Sequence, residues 1–213
     1  MAGIFISFEG IDYSGKSEQS RRLYQRLREA GYNDVELLRE PGGVAIAERI
    51  RKVVLDSKNA QMNPRTELLL YSAARAQITA ERIIPALQAG TIVIADRYVD
   101  STTVYQGAGR DLDREFVMAV NTFATSAILP DLTVLIDLPW EVARQRQGGD
   151  RLPPDRLERE STEFHERVRQ AYLQLASNDS GRFAVIDGNQ SIAAIEREVV
   201  DIVAKRLDLK LKL

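Results

Sequence analysis

Short apolar runs separated by long amphipathic stretches set the first constraint on how this chain can fold. The runs are Ile4 to Phe8, Val35 to Leu38, Thr91 to Ala95, Leu132 to Ile136 and Phe183 to Ile186. Each is rich in Val, Ile or Leu and mostly lacks a polar face, as suits a strand covered on both sides. The stretches between them carry helical spacing. Leu23 and Leu27 share one face, with Gly31 as a stop. Ala47, Ile50 and Val54 mark a second helix, and Asn63-Pro64 caps and opens a third through Leu68 to Ile78. Asp113 suits the cap of a helix carrying Phe116, Val120 and Phe123, and helical patterns cover Asp155 to Ala176 and Ile192 to Leu207. Strands separated by helices imply right-handed crossovers, so the expected fold is α/β, a five-stranded parallel sheet with helices on both faces. A chain of 213 residues suits one such domain. Gln147 to Pro154, QGGDRLPP, reads as a flexible loop between two helices, and the tail LDLKLKL suits either a helix end or an added strand.

The first run leads directly into FEGIDYSGKSEQ, where Gly10, Gly15, Lys16 and Ser17 have the spacing of a phosphate-binding loop. A preceding strand and a following helix are the context this motif requires. The two glycines let the backbone curl so that its N–H groups point at phosphate oxygens, and the helix N-terminus adds partial positive charge. The segment Gly10, Ile11, Asp12, Tyr13, Ser14, Gly15, Lys16 and Ser17 is thus expected to bind ATP. Lys16 would bridge the terminal phosphates and the Ser17 hydroxyl would bind Mg²⁺. Asp12 and Asp96 are the carboxylates expected to face the metal and the phosphates, Asp96 because it ends an apolar strand.

Composition narrows the chemistry. With no Cys and one His, disulfides, thiolate zinc sites and His-rich metal sites are excluded. That histidine, His165, lies among Glu and Arg and reads as a surface residue. The formal net charge of -2 argues against a nucleic-acid polymer as partner. No apolar run approaches a membrane span, and MAGIFISFEG lacks the basic flank of a signal peptide. A cytoplasmic protein is expected.

Two further segments follow strands: LREPGG, residues 38 to 43, and DRYVDSTTVYQGAGR, residues 96 to 110. With FEGIDYSGKS, then LLLYSAARAQ, VLIDLPWEVA, DRLERE and VIDG in order along the chain, the sequence resembles the thymidylate kinases, a branch of the P-loop nucleoside monophosphate kinases. The resemblance implies a three-layer P-loop NTPase fold with a lid segment at about 144–156. It also implies a homodimer and ATP-dependent, Mg²⁺-dependent phosphorylation of dTMP to dTDP. Arg75 and Arg97 stand at element ends that should converge on the carboxyl edge of the sheet, where ligands of such folds bind. By resemblance they hold the acceptor phosphate with help from Arg39. Tyr71 would stack on thymine, although beside Leu69 and Leu70 its residue-level reading is core packing. Tyr105 would lie against the deoxyribose and crowd out a 2′-hydroxyl, and Ser101, Thr102 and Gln106 would make polar contacts to the base.

Three positions depart from the family pattern. Some relatives carry an arginine at position 13 that reaches the transferred phosphate, whereas Tyr13 supplies no charge. The charge must then come from the lid arginines, of which Arg146 and Arg156 match the pattern best and Arg151 lies in a proline-containing insertion beside them. Glu18 stands where Thr is usual, and Ala74 where Asp is usual; both bear on nucleotide affinity more than on fold. Alternative readings are a kinase of the same fold for another nucleotide or nucleoside, or a nucleotide-binding protein without catalysis.

Overall fold

The computed structural model describes residues 3–147 and 154–211. Five parallel strands, β1 (Ile4–Glu9), β2 (Val35–Arg39), β3 (Ile92–Asp96), β4 (Leu132–Asp137) and β5 (Phe183–Asp187), form one sheet in the order β2-β3-β1-β4-β5. The expected runs are all strands, and each extends to a polar residue at its carboxyl end. From β1 the chain builds outward first to β2 and β3 on one side, then to β4 and β5 on the other. This reversal opens a crevice beyond the carboxyl end of β1, where ligands of open α/β sheets bind.

The helices are α1 (Lys16–Glu29), α2 (Ala45–Leu55), α3 (Pro64–Ile78), α4 (Ile84–Gln88), α5 (Val99–Thr102), α6 (Arg114–Thr125), α7 (Trp140–Gln147), α8 (Thr162–Asn178) and α9 (Ile192–Leu207). Local chemistry fixes their starts. Asn63 Oδ1 accepts from Arg65 N at 2.9 Å ahead of Pro64, and Asp113 Oδ1 accepts from Phe116 N at 2.8 Å. Ser161 and Ser191 cap α8 and α9 in the same way. A π-helical turn over Thr103–Gly109 continues α5 and carries Tyr105 and Gln106.

One core cluster lies between the sheet and α1 and α9, built on Ile6, Phe8, Leu23, Leu27, Val134 and Val199. A second joins α3 and α4 to the sheet through Phe5, Ile78, Ala86 and Val93. A third unites Tyr71, Tyr105, Trp140, Phe164 and Tyr172 beside the carboxyl edge.

Several expectations need correction. The helix expected from Asp155 starts at Thr162, because Asp155 Oδ1 accepts from the N–H groups of both Leu157 and Glu158 at 2.9 Å and closes a turn instead. The tail is neither helix nor strand over residues 209–211; Leu209 and Leu211 pack against the core while Lys210 N donates to Tyr32 OH at 2.8 Å. The apolar stripe of α6 points outward, with Phe116 52% and Phe123 88% exposed. His165 is completely buried, stacked on Trp140 with ring centroids 3.6 Å apart. The loop expected at Gln147 to Pro154 lies largely outside the described residues.

Candidate active site

The glycine loop joins β1 to α1, and its glycines are required by sterics. Gly10 has φ 143, and a Cβ there would stand 2.5 Å from Ile136 O. Gly15 caps α1 at φ 100 with no side-chain bond to the first-turn N–H groups, of which Glu18 N donates to Gly15 O at 3.1 Å; a helix start without a side-chain cap suits an anion. Lys16 is buried, donating to Ile11 O at 3.3 Å and standing 3.8 Å from Asp12 Oδ1. Burial and the Arg97 guanidinium together lower its pKa, despite Asp12. The loop forms one wall of a cleft of about 1450 Å³ that reaches Arg146, Glu158 and the turn from Gln190 to Ile192. Glu18 borders this cleft, but its carboxylate is paired with Arg21 at 2.9 Å and Arg22 at 2.7 Å. The departure from Thr is thus partly neutralised within α1.

A second cleft, of about 540 Å³, lies between α2, α3 and the helical stretch from Val99 to Gly109. Tyr71, Arg75, Arg97, Ser101, Thr102, Tyr105 and Gln106 all line it, so seven of the eight residues expected around the acceptor share one cleft. Arg97 follows β3 with φ 71, a left-handed conformation uncommon for a side-chain-bearing residue. Its Nη1 donates to Gly10 O at 2.9 Å and Ser101 Oγ at 3.1 Å, and its Nη2 to Asp12 Oδ1 at 2.6 Å and Tyr105 OH at 3.2 Å. Burial would raise the Asp12 carboxyl, but Arg97 and Lys16 outweigh it and hold the group below the usual carboxylate range. Asp12 lines both clefts, so Lys16, Asp12 and Arg97 stand where the two meet.

The remaining arginines separate. Arg75 is buried in the cleft wall, donating to Glu40 Oε2 at 2.7 Å, Thr102 Oγ1 at 2.5 Å and Tyr98 O at 3.0 Å. Arg39 is exposed, tied to Glu48 at 2.6 Å and Pro41 O at 3.1 Å, and does not line the cleft. Arg146, on α7, donates to the carbonyls of Tyr13 and Ser14 at 3.4 Å and of Gly188 at 2.9 Å, against the glycine loop. Arg156 is buried elsewhere, between Val54 O at 2.9 Å and Glu67 at 2.5 Å. It borders neither cleft. Arg144 is exposed, and Arg151 lies outside the described residues. Tyr13 takes a left-handed φ of 63 and donates its hydroxyl to Glu158 Oε1 at 2.6 Å, joining the loop to the segment after α7.

Residues unforeseen from sequence complete the walls. Arg51 lines the second cleft and donates to Pro41 O at 3.0 Å. Its signal was present: it shares the helix face of Ala47 and Val54, where a charge has no packing reason to sit. Glu9, buried at the end of β1, accepts from Ser101 Oγ and Tyr172 OH, each at 2.6 Å, and so orients the cleft wall. Glu40 has one oxygen on Arg75 and the other buried without a partner; burial pushes its pKa up to about 7 against the pull of Arg75.

For a metal, the donor chemistry fits. Asp96 carries a buried Oδ1 without a hydrogen-bond partner, and Ser17 borders the loop cleft. Among the described residues no group of three or more His, Cys, Asp or Glu could hold an ion. Mg²⁺ bound to nucleotide phosphates needs only one or two protein ligands.

The family profile described as Thymidylate kinase matches residues 8–199. A thymidylate kinase of Geobacter sulfurreducens is 50% identical over 210 residues, covering 96% of this chain and 98% of the relative. One of a Thermoanaerobacter species is 47% identical over 207 residues, covering 97% and 100%. The crystal structure of thymidylate kinase from Ehrlichia chaffeensis superposes with a TM-score of 0.78 at 32% identity, covering 95% of this chain and 99% of that one. Likeness at this identity, sustained over nearly the full length, shows that the chain belongs to the thymidylate kinase family.

Proposed function

We propose that the protein transfers the γ-phosphoryl group of ATP to dTMP, releasing dTDP and ADP. The observation that carries this reading is the meeting of two clefts at one carboxylate, Asp12, with a cation on either side of it. ATP takes the loop cleft and dTMP the cleft lined by Tyr71 and Tyr105. The acceptor is itself a phosphate with a second pKa near 6, so its nucleophilic oxygen is ionised at neutral pH and no general base is needed. Catalysis then consists of holding two phosphates in line and neutralising their repulsion. Lys16 serves the donor phosphates and Arg97 the acceptor phosphate. Among the described lid arginines, Arg146 is the one best placed to add positive charge, since it lies against the loop. Ser17 and Asp96 would hold Mg²⁺, which supplies neutralising charge to the donor phosphates when bound.

The chain works as a single domain, with a lid over about residues 144–156. Phe116 and Phe123 on α6, with Leu69 on α3 and Leu129 beyond α6, are all more than half exposed. A surface of this kind is suited to a second copy of the chain, and a homodimer is our reading. We place the enzyme in the cytoplasm, with no nucleic-acid polymer or membrane as partner. No helix among the described residues is long and apolar enough to cross a membrane. A coupled assay of ADP release with dTMP, dUMP, dCMP and thymidine tests the proposal. ADP release that depends on dTMP and is fastest with it is expected. Preference for another acceptor, or nucleotide binding without acceptor-dependent turnover, would overturn it.

A further inference from the structure

We propose that Glu67 is a positioning residue for base selection: it dictates which end of the Gln106 side-chain amide faces the acceptor base. The inference rests on the reading of the second cleft as the dTMP site.

Glu67 lies on α3 with no exposed surface. Its Oε1 accepts from Gln106 Nε2 at 2.8 Å and Arg110 Nε at 3.2 Å; its Oε2 accepts from Arg110 Nη2 at 3.0 Å and Arg156 Nη1 at 2.5 Å. A buried charge persists only when it is paired and hydrogen-bonded, and here two guanidiniums meet both conditions. Burial alone would raise the carboxyl, but the bonds from Arg110 and Gln106 prevail and keep it below its ordinary value.

The consequence for Gln106 is one of donors and acceptors. An amide has one accepting and one donating end, and its orientation follows from the groups it meets. An ionised carboxylate has no proton to give, so Gln106 must turn its NH₂ toward Glu67. The carbonyl oxygen is then the end left for the cleft, which Gln106 lines. The π-helical turn carrying Gln106 holds the side chain in reach, and the residue is itself buried. A fixed carbonyl acceptor pairs with a ring N–H and is repelled by a ring-nitrogen lone pair. Thymine and uracil carry a proton on N3; cytosine carries a lone pair there. Glu67 thus biases the cleft toward 2,4-dioxo pyrimidines without touching the nucleotide.

The test compares kcat/KM for dTMP and 5-methyl-dCMP, which share the methyl group, across wild type, Glu67→Gln, Gln106→Met and the double variant. A glutamine at 67 can donate as well as accept, which frees Gln106 to turn over. The preference for dTMP should fall about tenfold in Glu67→Gln, as expected for losing one buried hydrogen bond. A similar fall is expected in Gln106→Met, with no further change when Glu67→Gln is added to it. Equal losses toward both substrates, leaving the ratio intact, would make Glu67 a purely structural residue and overturn the proposal. So would a ratio that shifts again in the Gln106→Met background. Should Glu67→Gln fail to fold, side-chain NMR on the wild type decides. Titration with dTMP should shift the Gln106 carbonyl carbon while its NH₂ protons exchange slowly, and contacts from those protons to the base would refute the assignment. Absence of dTMP turnover by the wild type would instead defeat the reading of the cleft, a separate failure.

Discussion

Lys16 and Arg97 face each other across Asp12, and on the proposed reading each serves a different nucleotide. Lys16 has no core to support, so Lys16→Ala should leave the circular dichroism spectrum unchanged while turnover falls by about 10³-fold or more. Arg97→Ala should raise KM for dTMP and leave KM for ATP nearly unchanged; the opposite pattern would reverse the two clefts. Glu40 makes a pH prediction. Its folded pKa of about 7 lies above the ordinary glutamate value. The folded state therefore holds a proton that the unfolded chain releases near pH 4.5. Its contribution to stability is fully present below that pH and is lost as pH rises through 7, a span of about 3 kcal/mol. Denaturant melts of wild type and Glu40→Gln should show the variant gaining relative stability between pH 5 and 8. A constant difference would mean that Glu40 keeps its ordinary pKa. At this scale the sequence showed which residue types carry chemistry but not their surroundings. His165 was misread because its chain neighbours are charged. On a helix the environment is set at i±3 and i±4, here Val168 and its face, and by Trp140 from another element.

Helix α7 and the segment from 154 to 160 reach the glycine loop by different means, Arg146 through backbone carbonyls and Glu158 through the Tyr13 hydroxyl. Of the three arginines expected to act in the lid, the two among the described residues, Arg146 and Arg156, should therefore behave differently. Arg146→Ala should lower kcat by about 10³-fold, the order expected for an arginine supplied to phosphoryl transfer. Arg156→Ala removes a partner from buried Glu67, so its cost should fall on stability, about 2–3 kcal/mol by chemical denaturation. If kcat collapses only in the Arg156 variant, the charge comes from that side chain and the assignment to Arg146 is wrong. The strands and most helix starts were legible because each rests on local chemistry: an apolar run, a capping side chain, a proline at the first position. The start of α8 was not, since the Asp155 turn competes with helix for the same N–H groups and only the folded arrangement decides between them.

Whole-molecule organisation was half legible. Alternation of strands and helices implied the parallel sheet, and the resemblance named the residues along its carboxyl edge. Hidden were contributions that need a partner from another part of the chain, such as the Glu67 junction. The outward apolar stripe of α6 was readable as a stripe, but not as a surface turned away from the core. If it joins two copies, Phe123→Glu should shift the mass seen by light scattering from dimer to monomer, because burying a lone carboxylate in that interface is costly. An unchanged mass would place any interface elsewhere. One consequence of the strand order concerns time. β1 is the innermost strand, paired with β3 on one side and β4 on the other, so its amides meet solvent only when the sheet itself opens. Residues 154–160 lie outside the sheet, held by the Tyr13–Glu158 and Arg156–Glu67 contacts, a backbone bond from Arg156 N to Leu55 O and the buried Leu157, and can detach without opening it, at a cost below that of global unfolding. Deuterium uptake should run on two clocks, slow at Ile4–Glu9 and fast at 154–160, so the phosphate cradle keeps its shape through every opening of the segment beside it.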